Sequence, residues 1–161
     1  MTGGDARAVL ELHSAAVHRL AAAAYDPTIL EAWAPHEIND ELVAFFQRNP
    51  DAEVRIVAER DGRIAGFGAL VVAERELRAC YVHPEAGRRG VGRALVAELE
   101  SRARAAGLKA LELDASLNAE AFYRALGYRT LRHGIHLLHR AGRDIPMPCA
   151  KMRKALRQTP P

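Results

Sequence analysis

The sequence predicts a mixed β-sheet with helices on both faces, built as one domain over its 161 residues. Three observations predict it. A strand-helix-strand run in the middle of the chain implies a parallel pair. Turn signals such as Asp61-Gly62 imply antiparallel hairpins. The first 48 residues read as helix alone.

In that N-terminal stretch Leu10, His13, Val17, Leu20 and Ala24 recur at three- and four-residue spacing, an apolar stripe along one helix face. Asp26-Pro27 offers an N-cap followed by a proline at the first helical position. The short helix it opens ends near Trp33-Ala34-Pro35. Asn39 caps a third helix carrying Leu42, Phe45 and Phe46, and Asn49-Pro50-Asp51 stops it. From residue 53 Val54, Ile56 and Ala58 alternate as in a half-buried strand. After the turn a second strand covers about 63–72, where Gly66 and Gly68 suggest a bulge or a close backbone approach. A third strand runs over 76–82 and ends at His83-Pro84-Glu85. A helix over about 90–106 shows Val91, Leu95 and Leu99 on one face, with Gly107 as its C-cap. A strand follows over about 109–114. Asn118 caps a short helix through Leu126 that Gly127 closes, and the rest reads as two strands around an irregular middle with Gly142 and Pro146.

Composition narrows the function classes. Charged residues make up 27% and aromatics 6%, as in a folded globular protein. No apolar run approaches the ~20 residues of a membrane span. The opening Met1-Thr2-Gly3-Gly4-Asp5 lacks the pattern of a signal peptide, so a cytoplasmic location is expected. Cys80 and Cys149 are expected as unpaired thiols. The net charge of +3 is mild, and it is not clustered as in a nucleic-acid binder.

The most informative segment is Gly87-Arg-Arg-Gly-Val-Gly-Arg93, between the third strand and the long helix. The first amides of a helix have no internal partners and carry the positive end of its dipole. Glycines let an anion approach them, and Arg88, Arg89 and Arg93 add charge, so the segment reads as a diphosphate cradle. Taken alone, it also fits an ordinary helix start with solvated arginines. Arg93-Ala94 follows Gly92 where a nucleoside-triphosphate loop needs Lys-Ser/Thr, and Leu95 fills the third glycine position of a dinucleotide fingerprint.

Gly87 to Gly92 resembles motif A of the GNAT N-acetyltransferase superfamily, Gln/Arg-x-x-Gly-x-Gly/Ala. The lead-in from Glu76 to Pro84 looks like the strand before that motif. Asn118, Phe122-Tyr123 and Gly127-Tyr128 resemble motif B. Order and spacing agree over residues 53–130. Ala-Ala-Tyr-Asp-Pro27, the stretch ending at Pro35, and Ile145-Pro…Lys151-Met look like a bacterial subgroup. One position departs from the motif: Gly87 stands where Gln or Arg is usual, and its neighbours Arg88 and Arg89 can supply that contact.

The resemblance implies acetyl-CoA as co-substrate and no metal. The diphosphate would lie on the amides of Arg88, Arg89, Gly90, Val91, Gly92 and Arg93. The pantetheine arm would pair with the strand ending at Tyr81-Val82, beside Asn118, in a cleft where two parallel strands splay apart. The thioester would lie near Cys80 to Val82, its carbonyl polarised by a backbone amide. Tyr123 matches the family's general acid. Glu76, eleven residues before Gly87, resembles in spacing the base of the histone-acetylating branch. By the same resemblance His13, His36 and Trp33 could line the acceptor pocket, but the place of His13 on the apolar stripe favours a satisfied core histidine.

The activity so implied is acetyl transfer to a primary amine, on a small molecule or a protein, by direct attack in a ternary complex. A non-catalytic acyl-CoA sensor of the same fold is the alternative. Cys80 has no base partner for an acyl-cysteine route. His133, His136 and His139 step by three along a strand or loop, which alternates faces and does not suit a metal site. The basic tail 151–157 reads as a solvated edge strand, so neither a nucleic-acid nor a membrane partner is expected. A homodimer is compatible with the sequence.

Overall fold

The structure, a computed structural model, describes residues 2–157. Met1 and residues 158–161 of the expected domain lie outside the described residues. The helical N-terminal third forms α1 (Ala6–Leu20), α2 (Pro27–Trp33) and α3 (Asp40–Arg48). The expected caps form. The Asp26 carboxylate accepts from the Thr28 and Ile29 amides, and Asn39 Oδ1 accepts from the Leu42 amide at 2.9 Å. Asn49 ends α3 in the left-handed region, at φ 47°.

Six strands follow: β1 (Val54–Arg60), β2 (Arg63–Val71), β3 (Glu76–Val82), β4 (Ala110–Ser116), β5 (Arg129–Arg140) and β6 (Arg143–Ala155). Helix α4 (Val91–Ala105) crosses from β3 to β4, and α5 (Glu120–Ala125) lies between β4 and β5. The sheet order is β1-β2-β3-β4-β6-β5, and only β3–β4 is parallel, as its helical crossover requires.

Both faces of the sheet are covered. On one, Leu95, Val96, Leu99 and Ala103 of α4 pack on Leu70, Leu77, Leu111 and Met152. On the other, Val9 and Leu12 of α1 pack on Phe67, Ala69 and Ala79. The β2 glycines permit the first contact. A Cβ at Gly66 would lie 2.8 Å from both Leu95 Cδ1 and Val91 Cγ1, and one at Gly68 would lie 2.9 Å from Leu99 Cδ1. The expected close approach is therefore that of α4. Irregular pairing also occurs in β2, where the β1 register shifts between Ala58 and Glu59, next to Gly66.

Two expectations are corrected. Asn118 does not cap α5. Ala119 holds the cap position with no side-chain hydrogen bond, and Asn118 faces the cavity described below. The last two strands have no irregular middle. They form a long hairpin around Ala141-Gly142, both at positive φ, which suits a tight two-residue turn. Pro146 and Pro148 sit inside β6, paired with Leu137 and Ile135. They are tolerated because β4 ends opposite Cys149, so residues 143–148 have a neighbour on one side only.

Tyr25, 7% exposed, anchors the turn after α1. Its hydroxyl donates to the Pro148 carbonyl at 2.7 Å and accepts from the Leu117 amide at 2.8 Å. Tyr25→Phe strands both backbone groups. It is expected to lower stability by about 1–3 kcal/mol, read as an earlier urea midpoint with an unchanged slope.

Candidate active site

The site begins where the parallel pair comes apart. β3 and β4 are in register only at Glu76 and Glu112, supported by the Glu112 amide on the Arg75 carbonyl at 3.0 Å. Two residues further along β3, Arg78 is the extra residue of a bulge: Leu77 pairs with Leu70 and Ala79 with Ala69. A bulge bends its strand and adds twist, and beyond it β3 and β4 diverge. The His83 amide donates to the Ala65 carbonyl at 2.9 Å, on the β2 side. Strand alternation then turns the Val82 and Cys80 amides the other way, into the wedge.

A cavity of about 470 Å³ fills the wedge. Its walls include Tyr81, Val82, Asn118 and Tyr123, and its mouth is Arg88, Gly90, Val91, Gly92 and Arg93 at the start of α4. Arg89 is exposed beside the mouth but not in the lining. Gly90 holds φ +81° and Arg88 φ +59°, which turns the loop sharply into the helix. The Gly90 carbonyl already accepts from the Ala94 amide at 3.0 Å, leaving the amides of Val91 to Arg93 without helical partners. A Cβ at Gly92 would come to 3.1 Å from Phe122 Cζ and 3.4 Å from Val82 Cγ2, so this glycine keeps the throat open. Arg88, Arg89 and Arg93 are all exposed and form no ion pair with the described residues. Their charge is available to an anion at the helix start.

A second cavity, of about 350 Å³, lies on the far side of β3, between α1, α3 and the β5–β6 hairpin. Trp33, Arg78, Ala79, Tyr81 and Asp114 border both cavities. The two therefore adjoin across the wedge. Trp33 Nε1 donates to the Tyr81 hydroxyl at 3.0 Å, and the His13 ring lies 4.2 Å from that of Tyr81. His13 and Trp33 line the second cavity as expected. His36 does not: it is exposed, stacked on His18 at 3.6 Å and hydrogen-bonded to Glu31 at 2.7 Å.

Glu76 also lines this second cavity, but its Oε2 accepts from Arg78 at 2.8 Å (Nε) and 2.7 Å (Nη2). Arg78 bonds Asp51 and Glu74 as well, at 2.9 and 2.8 Å. The wall on this side is thus a closed charge network. His13 is not the satisfied core residue that its place on the stripe suggests, since its buried Nε2 has no partner. Burial, with His18 and Arg140 nearby, holds its pKa down at about 4, so the ring is neutral.

Burial also sets the other groups. The Cys80 thiol is pushed up to about 12 and donates to the Gly92 carbonyl at 3.8 Å, which makes it inert as a nucleophile. Cys149 is likewise free. Burial raises Tyr81 to about 12 and holds Tyr123 well above 10. Tyr123 thus keeps its proton at neutral pH, inside the first cavity.

Asp114 and Phe122 are lining residues that sequence reasoning passes over. Asp114 had a readable signal, a carboxylate within a strand otherwise alternating Leu111 and Leu113. Phe122 was visible only as part of a motif.

A wedge between parting parallel strands, with a helix start rich in glycine and arginine at its mouth, is an arrangement suited to an extended anionic ligand. Residues 14–128 match the family model described as the acetyltransferase (GNAT) family. The chain belongs to that family. It is similar to the GCN5-related N-acetyltransferase from Rhodopseudomonas palustris, with a TM-score of 0.85 and 28% identity over 97% of this chain and 92% of that one. The PaiA N-acetyltransferase from Thermoplasma acidophilum, solved in complex with coenzyme A, shares the fold at a TM-score of 0.68 and 20% identity, covering 96% and 95% of the two chains. Among curated proteins, an "IAA acetyltransferase" of Azospirillum brasilense is 34% identical over 101 residues, 58% of this chain; the match spans 65% of that protein's length. No helix of the described residues is long and apolar enough to cross a membrane.

Proposed function

We propose that the chain is an acetyl-CoA-dependent N-acetyltransferase that acetylates a primary amine by direct attack in a ternary complex. The observation that carries this reading is the meeting of the two cavities at Tyr81 and Asp114, one with an anion-binding mouth and one lined largely by apolar side chains. Acetyl transfer needs a coenzyme and an acceptor that enter separately and touch at one carbon.

The coenzyme diphosphate sits on the amides of Val91 to Arg93, with Arg88, Arg89 and Arg93 around it. The pantetheine arm lies along β3 beside Asn118, and the acetyl carbonyl accepts from the wedge-facing Val82 amide. Tyr123 serves the leaving sulfur. Its hydroxyl is kept neutral by burial, so it donates to the thiolate as the C–S bond opens. The acceptor enters past Trp33 and His13. Glu76 stands on the acceptor side, as the resemblance implies for a base, with its carboxylate held by Arg78.

The test is a thermal shift with acetyl-CoA, CoA and ATP, followed by thiol release over a panel of primary amines. Stabilisation by acetyl-CoA and CoA but not ATP, together with acetylation of at least one amine, is the expected result. No shift at millimolar acetyl-CoA with the protein folded sinks the reading. A shift with no transfer leaves an acyl-CoA sensor.

A further inference from the structure

We propose that Asp114 and His136 form a carboxylate–imidazole dyad in which His136 Nε2 takes the proton from the acceptor amine. This rests on the acetyltransferase reading and names the base of the same site.

The geometry starts from the strands. His136 lies on β5, whose residues 134, 136, 138 and 140 face inward while their neighbours face solvent. Leu138, Arg140 and His136 all line the acceptor cavity. Asp114 stands on β4 at the edge of the wedge and borders both cavities. Its Oδ2 is 2.9 Å from His136 Nδ1 and 2.5 Å from Lys151 Nζ. A carboxylate can only accept, so Nδ1 carries the hydrogen, and in the neutral ring Nε2 carries the lone pair. Burial works against the Asp114 charge, but the hydrogen bonds from His136 and Lys151 outweigh it and hold the carboxyl below its ordinary range. The dyad is therefore ionised on the Asp114 side and fixed in one tautomer. That is the arrangement a general base needs: an orienting acid behind the ring and a free nitrogen in front.

The position also suits the task. The His136 side chain keeps 36% of its exposure, and Asp114 keeps 22%. The ring thus lines the acceptor side and stays partly open, one hydrogen bond away from a residue on the coenzyme cavity. Glu76 is a poorer proton acceptor, since its carboxylate is already paired with the Arg78 guanidinium through two contacts to Oε2. His133 and His139 are more exposed and pair with Glu120 and Asp144, away from the cavity.

The step balances as follows. The arriving ammonium gives one proton to His136 Nε2, which releases it to solvent. The freed nitrogen lone pair forms the N–C bond to the acetyl carbon. The C–S bond then breaks with its electron pair on sulfur. The emptied His136 Nε2 takes the nitrogen's second proton as the amide forms, and Tyr123 gives its hydroxyl proton to the thiolate and regains one from solvent. His136 is the catalytic residue, and Asp114 is a positioning residue.

The test measures transfer from acetyl-CoA to 2-phenylethylamine, spermidine, L-lysine and an alanyl peptide. It compares wild type with His136→Ala, Asp114→Asn, Glu76→Gln and, as a control, His139→Ala. His136→Ala is expected to lose about a hundredfold in kcat, with the KM for acetyl-CoA unmoved and part of the rate restored by free imidazole. Asp114→Asn is expected to lower kcat as well, and to abolish the Nδ1-protonated signature of His136 in nitrogen-15 spectra. His139→Ala should match wild type. If His136→Ala fails to melt cooperatively, His136→Asn takes its place. A His136 variant with full kcat overturns the dyad and leaves the acetyltransferase reading standing, and a collapse in Glu76→Gln alone assigns the base to Glu76. A wild type that binds acetyl-CoA and acetylates none of the four overturns the transfer reading and the dyad together.

Discussion

Acetyl-CoA is expected to stabilise the wild-type protein and to leave a Gly90→Glu, Gly92→Glu variant unmoved. Both substitutions act at the helix start. Gly90 holds φ +81°, so a side chain there strains the turn by about 1–2 kcal/mol. At Gly92 the added Cβ meets Phe122 and Val82 at the throat of the cavity. The carboxylates themselves are favoured by the dipole of α4 and occupy the place of the phosphates. The helix therefore survives while its anion site is filled by its own side chains. A loss of affinity of at least about a hundredfold is expected, equivalent to roughly 3 kcal/mol. Isothermal titration with CoA measures it, and an unchanged circular dichroism spectrum shows that the fold is intact. A double variant that still binds like wild type would place the coenzyme elsewhere.

The second large effect is at Tyr123. Tyr123→Phe removes only a hydroxyl from a residue that is 7% exposed and packed between Phe122 and Tyr128. The ring contacts remain, so binding of acetyl-CoA should change little. The leaving thiolate loses its donor, and kcat is expected to fall about a hundredfold. A matching loss in KM for acetyl-CoA would instead make Tyr123 a binding wall. Because burial keeps this phenol protonated, the rate should show no alkaline loss from Tyr123 between pH 7 and about 10.

Much of the fold was readable because local chemistry fixed it. Asp26, Pro27 and Asn39 are side chains whose best hydrogen bonds are to the amides of the helix they open. The parallel pair followed from the helix between two strands. The β5–β6 hairpin was harder, since Pro146 and Pro148 speak against a strand until one knows that β4 ends beside them. The loop proposed to hold the coenzyme stands out in the sequence because its chemistry is local, a run of seven residues at one helix start. The acceptor side was not. Asp114 and His136 are 22 residues apart and meet only through the sheet order β4-β6-β5, with Lys151 between them. His136 reads in the sequence as one of three evenly spaced histidines, and spacing along an edge strand does not say which ring turns inward. The loss of His36 from the pocket has a similar cause: its partners Glu31 and His18 are close in space and hold it on the outer side.

The parting of β3 from β4 also has a mechanical meaning. The sheet is closed near Glu76 and open near Val82, like a pair of shears whose pivot is the Glu76–Glu112 pairing. One blade is β1-β2-β3 and the other is β4-β6-β5. The core under α4 bolts the two blades together with Leu77, Leu111 and Leu113, and beyond Glu76 no backbone pairing among the described residues joins them. Amide hydrogens should therefore exchange faster at Cys80 and Val82 than on β6 between residues 149 and 153, where neighbours lie on both sides. A chain of atoms laid between the blades would complete the missing rungs and lock the shears, so on the proposed reading the coenzyme arm would act as a seventh strand as well as a reactant.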